Sequence, residues 1–214
     1  APAPMPAPAP APAPAYNWTG IYLGLNGGYG IGTHTPMSLY GSDFSAFNYA
    51  ANGYLLGMTA GAQIQSGRTV MGIDADIDWA NLNGTGRGTI DFNGAPIGTA
   101  TLSSSLSSIS TLRSRIGYAP DNWLFYLTGG VAMTNEASTL TGAVGFVCGT
   151  GAANSPPCSS PTNFHVGLAA GAGLEYGITS NLSVKGEYIW IGAGALNTLK
   201  ENMLRAGVNW RFGM

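Results

Sequence analysis

The chain has very little charge. Lys, Arg, Asp and Glu make up 8% of its 214 residues, where an ordinary soluble domain has about 25%. The eight basic residues are scattered and the net charge is -2, so the sequence offers no patch for nucleic acid. This shortage of charge, with 33 glycines and many Ser and Thr residues, favours an exported membrane protein that is not a bundle of apolar helices.

A long apolar run is also missing. The long uncharged stretches, such as residues 92–112 and 137–164, are broken by Gly, Ser, Thr or Pro, so none predicts a membrane-spanning helix of about 20 residues. No signal peptide precedes Ala1, and a small residue is what cleavage after a secretory signal leaves. We therefore expect a mature, exported chain.

Cysteine is scarce as well, since Cys148 and Cys158 are the only two. They enclose a short segment rich in Gly, Ala and Pro, and in an oxidising compartment we expect them to form a disulfide that stiffens a loop. A metal site that includes His165 is the alternative, but the spacing matches no common zinc pattern. The sequence predicts no metal site and no cofactor.

What the chain does have is a period of two. In several segments the charged residues occupy alternate positions and the positions between them are mostly apolar, as in the run from Ile73 to Trp79 and the run from Val184 to Tyr188. Alternation of this kind predicts strands with one apolar face. Because that face recurs in nearly every strand and no helix can cover it, we predict an all-β fold, an eight-stranded antiparallel transmembrane β-barrel.

The pattern also predicts the order of strands and connections. Strands are expected at 19–31, 53–65, 69–82, 106–119, 123–134 and 164–176, followed by two more. Short turns alternate with long connections at 32–52, 83–105, 135–163 and 192–200, as in outer-membrane barrels. We therefore expect an outer-membrane protein of a Gram-negative bacterium, with the short turns and both termini in the periplasm.

The amino-terminal segment has a different composition. Residues 1–15 are mostly an Ala-Pro repeat, which favours extended polyproline geometry and reaches about 45 Å at ~3.1 Å per residue. We predict a tail or linker at 1–16 and the barrel at 17–214.

Strand parity places ten charged residues inside the barrel and the other eight in loops or turns. No charge then faces lipid, where a basic residue at the bilayer midplane costs about 2–4 kcal/mol. Because a buried charge that loses its partner costs about 3–5 kcal/mol, we predict an ionic network in which Asp74, Arg113, Glu187 and Arg205 meet at mid-barrel. The ten predicted lumenal residues are Asp74, Asp76, Asp78, Arg113, Arg115, Glu175, Lys185, Glu187, Arg205 and Arg211.

The five tryptophans fall near predicted strand ends, where aromatic girdles contact the membrane interfaces. We expect Trp18, Trp123 and Trp210 on the periplasmic side and Trp79 and Trp190 on the outer side.

Several stretches resemble a known family: N-W-T-G-I-Y-L-G-L-N-G-G-Y-G at 17–30, L-R-S-R-I-G-Y-A-P-D-N-W-L-F-Y-L-T-G-G-V-A at 112–132 and G-A-G-L-E-Y-G at 171–177. They are similar to the small outer-membrane barrel proteins of alphaproteobacteria, over essentially everything after the tail. The resemblance implies an OmpA-like barrel of the surface-antigen or porin-family type, linked to envelope integrity and without known catalysis. Members usually end on an aromatic residue that the barrel-assembly machinery binds, which implies Phe212 here, although Gly213 and Met214 follow it.

The resemblance also implies a role for the tail, because some relatives are attached to peptidoglycan through their first residue. Lys185 is predicted in the lumen and Lys200 in an outer loop, so the amino group of Ala1 is the only amine expected to reach the periplasm. We therefore expect Ala1 to be the attachment point, and a disordered spacer is the alternative.

Taken together, these patterns predict a structural barrel that contributes to envelope integrity. A narrow porin-like channel with charge-set selectivity and a surface adhesin acting through its outer loops are the alternatives. An enzyme built on His34, Asp43 and a loop serine is disfavoured because nothing singles out a nucleophile. The expected partners are outer-membrane lipid and lipopolysaccharide, the barrel-assembly machinery, peptidoglycan and neighbouring barrels.

Overall fold

The structure, a computed structural model, describes residues 16–34, 42–43, 49–92, 95–142, 158–193 and 199–212. Their strands are β1 (Gly20–His34), β2 (Ser42–Asp43), β3 (Tyr49–Ser66), β4 (Thr69–Phe92), β5 (Ala95–Tyr118), β6 (Trp123–Gly142), β7 (Cys158–Gly177), β8 (Leu182–Ala193) and β9 (Leu199–Phe212). No helix in this part of the chain is long and apolar enough to cross a membrane.

Eight of these strands close into a ring. Going round it, the order is β1, β3, β4, β5, β6, β7, β8, β9 and back to β1, and every pairing is antiparallel. The two-residue strand β2 lies outside the ring and pairs with the far end of β4. The predicted eight-stranded antiparallel barrel is confirmed.

The register around the ring fixes the tilt of the strands. Following paired residues once round the barrel from Ile21 returns to β1 at Ile31, a stagger of ten residues. The path runs through Ile21, Ala62, Ile73, Ser114, Gly129, Ala170, Trp190, Asn202 and Ile31. Ten residues of stagger over eight strands correspond to a tilt of about 40°, so equal distance along two strands does not mean equal height in the barrel.

Two faces alternate along each strand of the ring. In β1 the outward side chains of Ile21, Leu23 and Leu25 are 61, 50 and 58% exposed, whereas Tyr22 between them is fully buried. The same contrast continues round the barrel, so its outer surface is a broad apolar belt. Because an exposed apolar belt of this extent is unstable in water, it indicates a surface in contact with lipid.

The two ends of the barrel differ. One end, here called the short-turn end, has the tight turns around Gly67, Asp121 and Ser180, and Gly67 and Asp121 have left-handed φ values of 62° and 52°. At the opposite end, here called the long-strand end, β4 and β5 continue together as far as the pair Phe92 and Ala95.

The prediction of a loop at 83–105 is therefore wrong. Both β4 and β5 are 24 residues long, although about 9–11 residues suffice to cross a membrane. Their far halves are rich in Gly, Ser and Thr and lack apolar alternation, because neither face needs to contact lipid there. Hydropathy consequently indicated a loop where the backbone forms a hairpin.

Candidate functional site

The lumen of the barrel contains two ionic clusters, and the lower cluster lies nearer the short-turn end. It consists of Asp74, Arg115, Glu175 and Arg211. The guanidinium of Arg115 lies 2.9 Å from a carboxylate oxygen of Asp74 and 2.9 Å from one of Glu175, and that of Arg211 lies 3.6 Å from Glu175. All four side chains are buried, and their two positive charges match their two negative charges.

Neutral side chains complete the lower cluster. The hydroxyl of Tyr22 donates a hydrogen bond to Asp74. Ser183 and Asn209 both donate to the same oxygen of Glu175, at 2.5 and 2.9 Å. These donors stabilise the ionised carboxylates away from water.

The aromatic rings of the lower cluster fill the space above inward-facing glycines. The Tyr22 ring lies over Gly61 and the Tyr126 ring over Gly173, where an added Cβ would collide with each ring. The guanidinium of Arg115 lies between these rings, 4.0 Å from the Tyr126 centroid and 5.6 Å from that of Tyr22. The glycines that face the lumen here are thus covered by side chains from neighbouring strands.

The upper cluster lies on the long-strand side of the lower one. Arg205 connects three carboxylates, at 2.7 Å from Glu187, 3.1 Å from Asp76 and 2.5 Å from Asp78. Arg113 connects Asp76 at 2.8 Å with Glu187 at 3.2 Å. With Lys185, 3.0 Å from Glu187, the cluster has three positive and three negative charges. Its members are Asp76, Asp78, Arg113, Lys185, Glu187 and Arg205.

Two threonines link the members of the upper cluster. Thr59 donates to Asp76 at 2.7 Å and accepts from Lys185 at 3.1 Å. Thr111 donates to the other carboxylate oxygen of Asp76 at 2.8 Å. Asp76 therefore has a charged or hydroxyl partner on both oxygens, which holds it in one orientation.

The structure separates one member from the predicted mid-barrel group. Arg113, Glu187 and Arg205 meet in the upper cluster, whereas Asp74 bonds to Arg115 in the lower one. Asp74 and Arg113 are opposite each other in the β4–β5 register, but long arginine side chains reach the diagonal neighbour instead. The prediction also took the number of residues from the turns as a measure of height in the barrel, which fails because the strands are tilted.

An apolar layer fills the lumen between the upper cluster and the long-strand end. Leu82, Leu106 and Ile109 are fully buried and point inward. A β-bulge between Leu106 and Ser108 changes the inward parity of β5 at this point. The whole layer comprises Leu55, Leu82, Leu106, Ile109, Ala132, Ala169, Ile189, Ile191, Ala193, Leu199 and Met203.

An N-terminal cap, residues 16–19, closes the short-turn end. Tyr16 is 7% exposed and Trp18 is fully buried, with ring centroids 4.4 Å apart. The guanidinium of Arg211 lies 5.1 Å from the Tyr16 ring and 4.8 Å from the Trp18 ring. Burial raises the pKa of the Tyr16 hydroxyl above its ordinary value.

The backbone holds the cap in place. Gly20 has a φ of 142°, a region that other residues rarely adopt, and its Cβ would lie 2.9 Å from the carbonyl oxygen of Phe212. The Trp18 amide donates to the Gln65 side chain at 2.9 Å, and the Gln65 amide donates to the Thr19 hydroxyl at 3.0 Å. The chain thus turns at Gly20 from the barrel wall into the mouth of the lumen.

The prediction of Trp18 as a girdle residue is wrong, because the cap places it in the lumen. The other four tryptophans lie on the outer face: Trp79, Trp123 and Trp210 are 59, 43 and 53% exposed and Trp190 is half-buried. Trp18 precedes the first strand, so strand parity could not place it, and the glycine at position 20 was the available signal.

Six of the eight charged residues predicted in loops or turns lie in strands instead: Asp43, Arg87, Asp91, Glu136, Lys200 and Glu201. Glu136 belongs to β6 and Glu201 to β9, and both are buried. The Nε2 atom of His165 on β7 lies 3.7 Å from the Glu136 carboxylate. Both strands extend further than their apolar alternation does, which is why these carboxylates were assigned to loops.

Several predicted sites lie outside the described residues: Ala1, Cys148, Gly213 and Met214, together with the side chains of His34, Asp43 and Cys158. Phe212 lies on the outer face at the end of β9, 49% exposed and paired with Ile21. Within the described ranges, no three His, Cys, Asp or Glu residues are grouped so that they could hold a metal ion.

Curated relatives resemble the chain over most of its length. It is 30% identical to the 31 kDa outer-membrane immunogenic protein of Brucella melitensis over 221 residues, which cover 92% of this chain and 85% of that protein. It is 25% identical to the 22 kDa outer membrane protein of Rhizobium leguminosarum, over 80% of this chain and 63% of that one.

Among solved structures, Neisserial surface protein A aligns with a TM-score of 0.47 and 14% identity, over 91% of this chain and 98% of that one. The sequence model of the family described as outer membrane protein beta-barrel domain matches residues 3–212 of this chain. The named relatives are outer-membrane proteins, and the closed ring with its apolar belt is the structure that such a location requires. The chain belongs to the outer membrane β-barrel domain family, as a small barrel of the OmpA-like type.

Proposed function

We propose that this barrel is a closed structural element that stabilises the outer membrane. The observation that supports the proposal is the filling of the lumen in successive layers: the cap, the lower cluster, the upper cluster and the apolar layer. Each ionic cluster is balanced in charge by itself, and rings cover glycines that would otherwise widen the passage.

The energetics of the layers favour closure over conduction. A solute passing the upper cluster would have to separate Arg205 from the three carboxylates that it contacts. Loss of one partner from a buried ion pair costs about 3–5 kcal/mol, and the apolar layer beyond it gives a hydrated ion no polar contacts. A narrow polar pore, the first alternative, would need both layers to open together.

Single-channel recording tests this proposal. The refolded, heat-modifiable protein is inserted into planar bilayers beside a porin as the positive control. We expect inserted protein to give no stable steps. Stable ohmic steps that change in Arg113→Ala or Glu187→Ala would overturn the closed barrel and support the pore.

We also propose the orientation that the predicted loops implied: the short-turn end and both termini face the periplasm. The asymmetry of the two ends supports it, since outer-membrane barrels have short periplasmic turns and long outer connections. A membrane-impermeant maleimide applied to intact cells should label Thr85→Cys on β4 and leave Ser180→Cys in the turn unlabelled, with the parent chain as the background control. The reverse labelling would overturn the orientation.

The second candidate function is surface binding by the β4–β5 hairpin. The hairpin pairs 83–92 with 95–105 beyond the level of Leu82, which at about 3.3 Å per residue is ~30 Å along the strands. Replacing 88–100 by Asn-Gly would join the paired residues Arg87 and Thr101 through a tight turn. Lost adhesion of cells with an unchanged envelope would favour the adhesin, and a weakened envelope would favour the structural role.

Attachment to peptidoglycan through Ala1 remains part of the proposal. The position of Tyr16 and Trp18 in the mouth of the short-turn end supports it, because Tyr16 is the residue to which residues 1–15 are joined. Muropeptide analysis after cell-wall digestion should find an adduct on Ala1, and a free Ala1 amine in all cell-wall fractions would exclude the tether.

A further inference from the structure

A groove of about 460 Å³ crosses the lipid-facing surface near the short-turn end. Its walls are the side chains of Ile116, Tyr118, Phe125 and Leu127, which are 52, 50, 50 and 62% exposed. Its floor includes Ala172 on β7. The groove therefore lies across β5, β6 and β7, on the face that lipid covers.

The groove exists because small residues interrupt the apolar belt. Ala172 is the partner of Leu127 in the β6–β7 register. One step further from the turns, Gly129 is paired with Ala170 on one side and Ser114 on the other. A Cβ added to Gly129 would find nothing within 4 Å, so the depression continues along the belt toward its middle.

The turn side of the groove has polar groups. The guanidinium of Arg68, in the turn between β3 and β4, donates to the hydroxyl of Tyr118 at 3.3 Å, and both residues are exposed. Trp123 stands beside the groove, its ring stacked on Phe125 with centroids 6.2 Å apart. Asp121, in the turn between β5 and β6, is also exposed at this end.

We infer that this groove binds one phospholipid of the periplasmic leaflet, a leaflet assignment that rests on the proposed orientation. The acyl chain lies between the walls of the groove, and the phosphodiester contacts Arg68 and the Tyr118 hydroxyl. The charge is complementary, because a guanidinium presents several N–H donors that match phosphate oxygens. The amphipathic rings of Tyr118 and Trp123 suit the level of the headgroups.

Native mass spectrometry of the refolded full chain, with dioleoylphosphatidylglycerol added to the micelle, tests the site. Wild type should retain one lipid. Ala172→Phe, which fills the groove from a position that faces lipid, and Arg68→Ala should each lower retention about tenfold, the cost of one charge-assisted contact or of the buried chain. Ala60→Phe, another outward alanine on β3, and Arg87→Ala on β4 are the matched controls and should retain the lipid.

The outcomes separate the parts of the inference. Equal retention in wild type and Ala172→Phe would overturn the site and leave only unspecific annular lipid. A loss with Ala172→Phe but none with Arg68→Ala would overturn the phosphodiester contact. Heat-modifiable migration of every variant verifies folding. The groove lies outside the lumen, so a negative result for lipid binding would leave the proposal of a closed barrel untouched. Single-channel conductance tests that proposal separately.

Discussion

The two halves of the lumen are sealed by different chemistry. On β4, Asp74, Asp76 and Asp78 are consecutive inward positions, and the buried Leu82 lies two inward positions beyond Asp78, toward the long-strand end. Along β4 the alternation of inward and outward residues is the same in both halves, but the inward residues change from charged to apolar. The period of two constrains only the residues that face lipid. The inward residues can therefore be charged in one half of the lumen and apolar in the other.

The difference matters for stability. An ion pair depends on direction and on its exact partner, so a single deletion leaves a charge stranded. Apolar packing has no preferred direction, so a deletion leaves a cavity that neighbours fill in part. The following changes test this contrast, beginning with the largest expected effect.

Arg205→Ala should lower the free energy of unfolding by about 3–5 kcal/mol. The change leaves Asp78 without its 2.5 Å ion pair and removes the contacts to Asp76 and Glu187. Urea unfolding of the protein folded into lipid vesicles measures the loss. Lys200→Ala, on the exposed face of β9, is the control and should change stability by less than about 0.5 kcal/mol. Equal losses in the two variants would contradict a structural role for the upper cluster.

Leu106→Ala should cost about 2–5 kcal/mol, because Leu106 is fully buried in the apolar layer. Met203→Leu, in the same layer and of similar volume, should cost less than about 1.5 kcal/mol. The same vesicle measurement applies. If Leu106→Ala costs no more than Met203→Leu, the layer is not packed as described.

Gly20→Ala should cost about 1–3 kcal/mol, since alanine is strained at a φ of 142°. The strain should release the cap, so the emission of Trp18 should shift to longer wavelength. Gly67→Asn is the control, because asparagine tolerates the φ of 62° found there. An unchanged emission spectrum in Gly20→Ala would show that the cap does not depend on this turn.

Double-mutant cycles should separate the two clusters. Arg113→Gln with Asp76→Asn breaks one 2.8 Å pair within the upper cluster, and we expect a coupling energy of about 0.5–3 kcal/mol. Asp78→Asn with Glu175→Gln, one from each cluster, should be additive within about 0.5 kcal/mol. Strong coupling in the second cycle would join the clusters into one network.

Sequence alone could predict the barrel because the outward positions obey one rule. Ile21, Leu23 and Leu25 all face lipid, and a period of two reveals that without knowledge of their neighbours. The height of an inward side chain in the lumen cannot be predicted in this way. It depends on the register of all eight strand pairings, whose total stagger is ten residues. Asp74 was therefore placed with Arg113 although it bonds to Arg115.

The other differences between the predictions and the structure involve residues that do not contact lipid. Glu136 and Glu201 lie where strands continue past the apolar belt, so nothing in the alternation distinguishes strand from loop there. Trp18 lies in the lumen because the chain turns at Gly20, which has a φ of 142°. The sequence shows a glycine at this position but not the direction of the turn.

The register of the barrel has a consequence for its assembly. A strand that slips by two residues against its neighbour keeps every apolar side chain in lipid and every polar one inside, so the membrane does not distinguish the two pairings. A slip of β5 against β4 would move Arg115 away from Asp74. A slip of β1 against β3 would bring the Tyr22 ring against Thr59 or Gln63 instead of Gly61. The paired charges and the glycine beneath each ring therefore select one strand register among those that the lipid-facing residues allow.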